Sequence, residues 1–244
     1  LTNGSMGKII DQLVSNSIYL TISYITASVF SFLFWLVLAK LLLPSEYGII
    51  STTINFSLLL ASIGIFGFNV SIIKLIPEYL VRQTNKISSL LRFSFRFTVI
   101  FGFLIGLMLM LLSNNISQFL KLPTTAINFA SVIVVLMVVA TFFDSVLRGF
   151  QNMKVIALIQ FTGQLTKLSI TVALVLMGFS YFGPLVGFVS LYLVMILLGV
   201  KFVKFHKETG KIDSKQILLR YSFPAFISIL ISYVFSSGRY IILN

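Results

Sequence analysis

Lys167 stands in the middle of an apolar run, residues 155–178, with Gln160, Gln164 and Thr171 on the same helical face at 4-3-4 spacing. A charge at that depth of a bilayer is costly, so by default it marks a site. A cation there can receive an anion, and the amides and hydroxyl beside it can hydrogen-bond a hydroxyl-rich molecule. The competing reading is a lysine paired with a carboxylate on a neighbouring helix for stability alone. Asp144 is the one acid clearly inside an apolar run, and with Thr141 and Arg148 it forms a second stripe. An i,i+4 pair of Asp144 with Arg148 is the favoured reading, with ion coupling or gating opposite Lys167 as the other. Asn55 and Asn69, on a face shared with Ser51 and Ser62, are read as cavity-lining. The Ser17, Thr21, Tyr24, Ser28 and Ser31 face is read as helix packing, since small hydroxyl residues let backbones approach. Arg239, in the run 221–243, is either a second cation in the same cavity or a side chain snorkelling to the interface. All of this is binding chemistry. With no cysteine, a sole histidine at His206, no phosphate-binding glycine loop and no facing pair of carboxylates, the residues for covalent or hydrolytic catalysis are missing. No enzyme activity, metal or cofactor is expected.

These stripes need long helices to carry them, and the composition supplies them. The chain has 244 residues, 58% hydrophobic and 10% charged, with a mean hydropathy of +1.05. A soluble domain carries about 25% charged residues, so this one could not cover itself in water. Seven runs reach the roughly 20 residues that cross a bilayer as helix: 14–39, 49–76, 93–113, 126–147, 155–178, 181–203 and 221–243. Their length rules out barrel strands of about 10 residues. The expected fold is therefore all-α, a polytopic integral membrane protein. The net charge of +12 would suggest nucleic acid on a soluble protein. Here the basic residues fall between apolar runs, and no nucleic-acid partner is expected. With the N-terminus placed inside, fourteen of the eighteen Lys/Arg lie on the cytoplasmic side, against Lys40 and Lys121 outside. By the positive-inside rule the N-terminus is cytoplasmic, in a multi-pass protein of the cell membrane.

Four short pieces at the span ends carry more specific information. They are Leu43-Pro44-Ser45-Glu46-Tyr47-Gly48, Lys74-Leu75-Ile76-Pro77-Glu78-Tyr79, Arg148-Gly149-Phe150-Gln151-Asn152-Met153-Lys154 and Tyr221-Ser222-Phe223-Pro224. In the first, Ser45 is a candidate helix cap. Their order and spacing resemble the polysaccharide flippase branch of the exporter superfamily that also holds multidrug extruders and lipid II flippases. The resemblance runs from Met6 to Asn244, and residues 1–5 are set aside as an upstream extension. It implies a six-helix N-terminal lobe, 14–203, after a cytoplasmic N-terminus, 1–13. A basic cytoplasmic loop, 204–220, and a seventh helix, 221–244, then open an incomplete second lobe, and the chain is expected to be a fragment of a longer transporter. A faint echo at an offset of 207, where Lys8 and Ile10 meet Lys215 and Ile217, agrees with the internal repeats of such proteins.

The resemblance implies a flippase that moves a lipid-linked oligosaccharide across the cell membrane by alternating access. Its phosphate or pyrophosphate would meet Lys167 and Arg239. The lipid bilayer, that lipid-linked substrate and glycan-assembly proteins are the expected partners. A cation-coupled drug or metabolite extruder of the same superfamily is the first alternative, though it calls for an acidic interior. A membrane-embedded polymerase or glycosyltransferase is the second, and the short outer loops argue against it.

Overall fold

The structure, a computed structural model, describes residues 3–203, 210–229 and 231–232, the first eleven of them by backbone alone. Among the described residues the regular structure is entirely helical: α1 (Asn3–Leu41), α2 (Pro44–Ile65), α3 (Phe68–Arg82), α4 (Ile87–Leu111), α5 (Ser113–Leu120), α6 (Thr124–Gly149), α7 (Met153–Leu176) and α8 (Phe182–Phe202). After the basic loop come a single turn at Ser214–Gln216, a π-helical turn at Ile217–Ser222, and α-helical residues at 223–229 and 231–232. Six helical stretches among the described residues are long and apolar enough to cross a membrane, matching the first six expected runs. The seventh lies largely outside the described residues, as do Arg239 and His206.

Two boundaries differ from expectation for physical reasons. Residues 49–76 do not form one continuous span: Phe66 and Gly67 both take left-handed backbone, with φ of 49° and 71°, and separate α2 from α3. Asn55 and Asn69 therefore sit on different helices rather than one face. Ser45 does not cap α2. Leu43 stands at the cap in extended backbone, Pro44 follows at the first helical position, and the Glu46 carboxylate accepts from the Leu43 N–H at 3.1 Å. The same carboxylate accepts from Ser180 Oγ in the α7–α8 turn, tying two loops at the Lys/Arg-poor end of the bundle.

α6 is the central helix. Over half of its span is buried, 56% against 17% for α1, and it packs on α2, α3, α4 and α8. Its inward face is built from Ala126, Ala130, Ile133, Val134 and Val138, small or branched side chains that bring neighbours close and lock in few rotamers. α7 packs on α8 on one side and α1 on the other, while α1 barely meets α2. The first helix thus hangs on the bundle mainly through α7, with Phe34 and Leu38 fully buried.

The outer surface of α1 has two characters. Ile18, Ile22, Ile25, Val29 and Phe32 form an exposed apolar stripe suited to lipid. Ser17, Thr21, Tyr24 and Ser28 are also exposed, and each sits one residue, about 100° of helix, from that stripe. Of the hydroxyls expected to pack between helices, Ser17, Thr21 and Ser28 are therefore exposed on the described bundle, Ser31 is half-buried, and Tyr24 reaches a neighbouring helix through its hydroxyl.

Candidate functional site

Three of the four α7 residues converge inside the bundle. Lys167 is 2% exposed, and Gln164 and Thr171 are buried beside it. Gln160, one turn earlier, is half-buried. The Lys167 ammonium lies 4.6 Å from the ring centre of Phe34 on α1 and 4.9 Å from that of Phe188 on α8. These two rings meet edge to face at 5.3 Å. No carboxylate among the described residues comes within ion-pair distance of it, so the stabilising-pair reading finds no partner there. The electron-rich ring faces supply part of the lost hydration, about 2 kcal/mol when desolvated.

The polar atoms on either side are unpaired. Gln164 Oε1 and Thr171 Oγ1 are buried without a hydrogen-bond partner among the described residues, each at a cost of about 1–3 kcal/mol. What closes over them is α8 at Gly187. A Cβ built there would lie 2.1 Å from Thr171 Oγ1 and 3.0 Å from the Lys167 carbonyl oxygen. Only a residue without a side chain lets α8 come this near. The arrangement is a cation and two hydrogen-bonding groups walled in by α1 and α8, with their bonding capacity unused.

Asp144 and Arg148 form the expected pair, Nε to Oδ2 at 2.6 Å and Nη2 to Oδ1 at 3.4 Å. Arg148 also donates to the Tyr24 hydroxyl at 3.2 Å and stacks over the Tyr24 ring. The pair is thereby an anchor for α1, a role the sequence stripes do not suggest. No hydrogen bond or ion pair joins Asp144 to Lys167 among the described residues. A double-mutant cycle of Tyr24→Phe with Arg148→Gln is expected to give a coupling of about 0.5–1.5 kcal/mol by thermal unfolding in detergent. Additive effects would show the contact to be incidental.

Asn55 is exposed, and its amide donates to the Ser51 carbonyl of its own helix at 2.9 Å. Asn69 is half-buried with Oδ1 unpartnered. Asn69 begins the stretch of α3 that meets the chain after the basic loop. Ser71 and Ser222 hydroxyls are hydrogen-bonded at 2.8 Å in a buried contact, the Lys74 ammonium lies 4.8 Å from the Tyr221 ring centre, and Phe66 stacks on Phe226 at 4.7 Å. Two of the four sequence pieces, at the exit of the second run and the entry of the seventh, thus prove to be one contact.

Phe34, Phe188 and Gly67 gain their importance only from the structure. A phenylalanine among twenty-five carries no signal of its own, and which of them faces Lys167 depends on the helix packing.

This architecture is shared with known transporters. One solved structure is a MOP superfamily transporter from Pyrococcus furiosus Vc1, described as having a binding pocket of reversed polarity that suggests a different function. It matches with a TM-score of 0.71 at 16% identity, over 90% of this chain and 52% of its own. A second, a multidrug resistance MATE family transporter of the MOP superfamily in an outward-facing conformation, matches with a TM-score of 0.66 at 14% identity over the same shares. The chain spans about half the length of each. No curated protein matches it in sequence. At this identity the likeness shows a shared fold, over about half of each of the two structures. The family described as "Polysaccharide biosynthesis protein" matches residues 13–244, and the chain belongs to that family.

Proposed function

We propose that this chain forms the first lobe of a flippase that carries a lipid-linked oligosaccharide across the cell membrane by alternating access. The observation that supports it best is Lys167, buried with no counter-charge among the described residues and flanked by two hydrogen-bonding side chains that find no partner there. A purely structural interior has no use for such a group, because an apolar side chain of the same volume would be as stable or more so. A site that opens in another state of the cycle does. There the ammonium meets the phosphate or pyrophosphate of the carrier, and Gln160, Gln164 and Thr171 hydrogen-bond the sugar. α1, attached mainly through α7 and held by Tyr24 on Arg148, is the element whose displacement uncovers the stripe. Asn55, Asn69 and Arg239 are further candidate contacts, and Asp144 with Arg148 is the candidate gate.

The family supports a role in polysaccharide biosynthesis, and the match to about half the length of two transporters supports a second lobe opening with the helix after Ile217. The distribution of Lys and Arg supports a cytoplasmic N-terminus. Glycan-assembly proteins are the natural partners of such an activity. An extruder of cationic drugs would place a carboxylate where Lys167 stands.

The test uses the full-length protein in a strain lacking its own flippase. Restored surface polysaccharide is the expected result. Unrestored polysaccharide combined with raised resistance to cationic drugs would overturn the reading in favour of an extruder.

A further inference from the structure

A cavity of about 440 Å³ opens at the Lys/Arg-rich end of the bundle, away from the Lys167 stripe. Its walls are apolar, formed by Leu91 on α4, Leu147 and Phe150 at the end of α6, and Phe202 at the end of α8. Its polar rim includes Thr84 and Asn152. The size falls in the range of small-ligand pockets. Four cations neighbour the lining positions in sequence: Arg82, Lys86, Lys154 and Lys201 are each one or two residues from one, and all four are exposed or half-buried. Lys201 is placed directly, with its ammonium 5.9 Å from the centre of the Phe202 ring that lines the cavity. No acid among the described residues lines the cavity. Among the acids described, Glu78 lies a turn before Arg82 on α3. Asp213, beyond the point where Gly210 donates to the Asn85 carbonyl at 2.8 Å, spends its carboxylate on the Gln216 N–H.

An apolar slot under a cationic rim, at the ends of membrane-spanning helices, matches an amphiphile with a chain and an anionic head. We propose that this cavity binds one anionic phospholipid of the adjacent leaflet, its acyl chain between α4, α6 and α8 and its phosphate at Lys86 and Lys201. Basic pockets between membrane helices on the cytoplasmic side hold anionic head groups by the same combination of charge and apolar depth. The site joins α4, α6 and α8 where the chain leaves for the basic loop, so occupancy fastens the end of the bundle from which the next helix starts. It requires that this end lie at a membrane surface and does not depend on what the protein transports.

Native mass spectrometry of the full-length protein in detergent, titrated separately with phosphatidylglycerol, phosphatidylethanolamine and a polyprenyl monophosphate, tests it. Phosphatidylglycerol is expected to bind tightest, as a single retained molecule. Lys86→Ala with Lys201→Ala is expected to weaken it roughly thirtyfold, from the loss of two cations near the head group. Asn152→Trp fills the slot from its exposed rim with all four cations intact and is expected to weaken binding about tenfold. Lys40→Ala with Lys121→Ala, at the opposite end, is expected to change nothing. Equal binding of phosphatidylethanolamine, preference for the polyprenyl phosphate, or unchanged affinity in Asn152→Trp would each overturn the proposal. Because Asn152 is an exposed turn residue, that variant keeps the test decisive even if the double lysine variant folds poorly.

Discussion

Lys167→Met is expected to leave the lobe as stable as before, or more so, while lowering transport by at least about thirtyfold. The two halves of that result pull apart only if the lysine is there for function. Methionine keeps the volume and flexibility of the lysine stem. It can still lie between Phe34 and Phe188, since its sulfur makes favourable contacts with aromatic rings. The substitution gives up a cation–π interaction of about 2 kcal/mol. It also removes the cost of holding an ammonium with 2% exposure and no facing carboxylate among the described residues, and burying an uncompensated charge costs several kcal/mol. The balance favours the apolar variant. Transport should move the other way, because a desolvated cation facing a phosphate is worth about 2–5 kcal/mol. Thermal unfolding in detergent reads the first effect, and translocation of a labelled lipid-linked oligosaccharide in vesicles of the full-length protein reads the second. If stability and transport fall together, Lys167 is a packing residue and the anion site is wrong.

The same contrast separates local signals from those that depend on packing. The six helices follow from long apolar runs cut by Pro, Gly and basic turns, a signal intrinsic to each segment. The Gln164, Lys167 and Thr171 face follows from helical period alone, and the three residues do share one buried surface. Asp144 with Arg148 is an i,i+4 pair and equally local. Contacts between helices leave no such trace. Nothing along the chain says that Phe34 and Phe188 close over Lys167, or that Tyr24, 124 residues from Arg148, is bonded to it. The break at Phe66 is invisible to hydropathy, which continues across it unchanged. Gly67 is the visible sign, yet a glycine within an apolar run equally serves close helix packing. The exposure of Ser17, Thr21 and Ser28 on α1 departs from expectation for a related cause: period locates a face and leaves open which neighbour covers it.

At that break, Gly67→Ala is expected to separate α3 from the segment beyond the basic loop. The backbone at Gly67 has a φ of 71°, and an alanine there carries a left-handed penalty of about 1–2 kcal/mol. Space is the larger obstacle. A Cβ at this position would stand 2.2 Å from the Ser222 carbonyl oxygen and 2.8 Å from the Phe226 amide nitrogen. Both atoms are backbone, so no rotamer change relieves the overlap. The segment must shift as a unit, and the Ser71–Ser222 bond and the Phe66–Phe226 stack go with it. With overpacking of about 1–3 kcal/mol added, the whole penalty is about 2–5 kcal/mol, enough to empty the contact. The chain has no cysteine of its own, so a Ser71→Cys, Ser222→Cys pair reports on this contact without background. Two hydroxyls within 2.8 Å place their β-carbons near the spacing a disulfide requires. Efficient oxidation is expected with Gly67 intact, and a yield at least about tenfold lower with Gly67→Ala. Equal yields in the two would mean that the segment accommodates the methyl in place, and the tight seat of α3 beneath residues 222–226 would have to be abandoned.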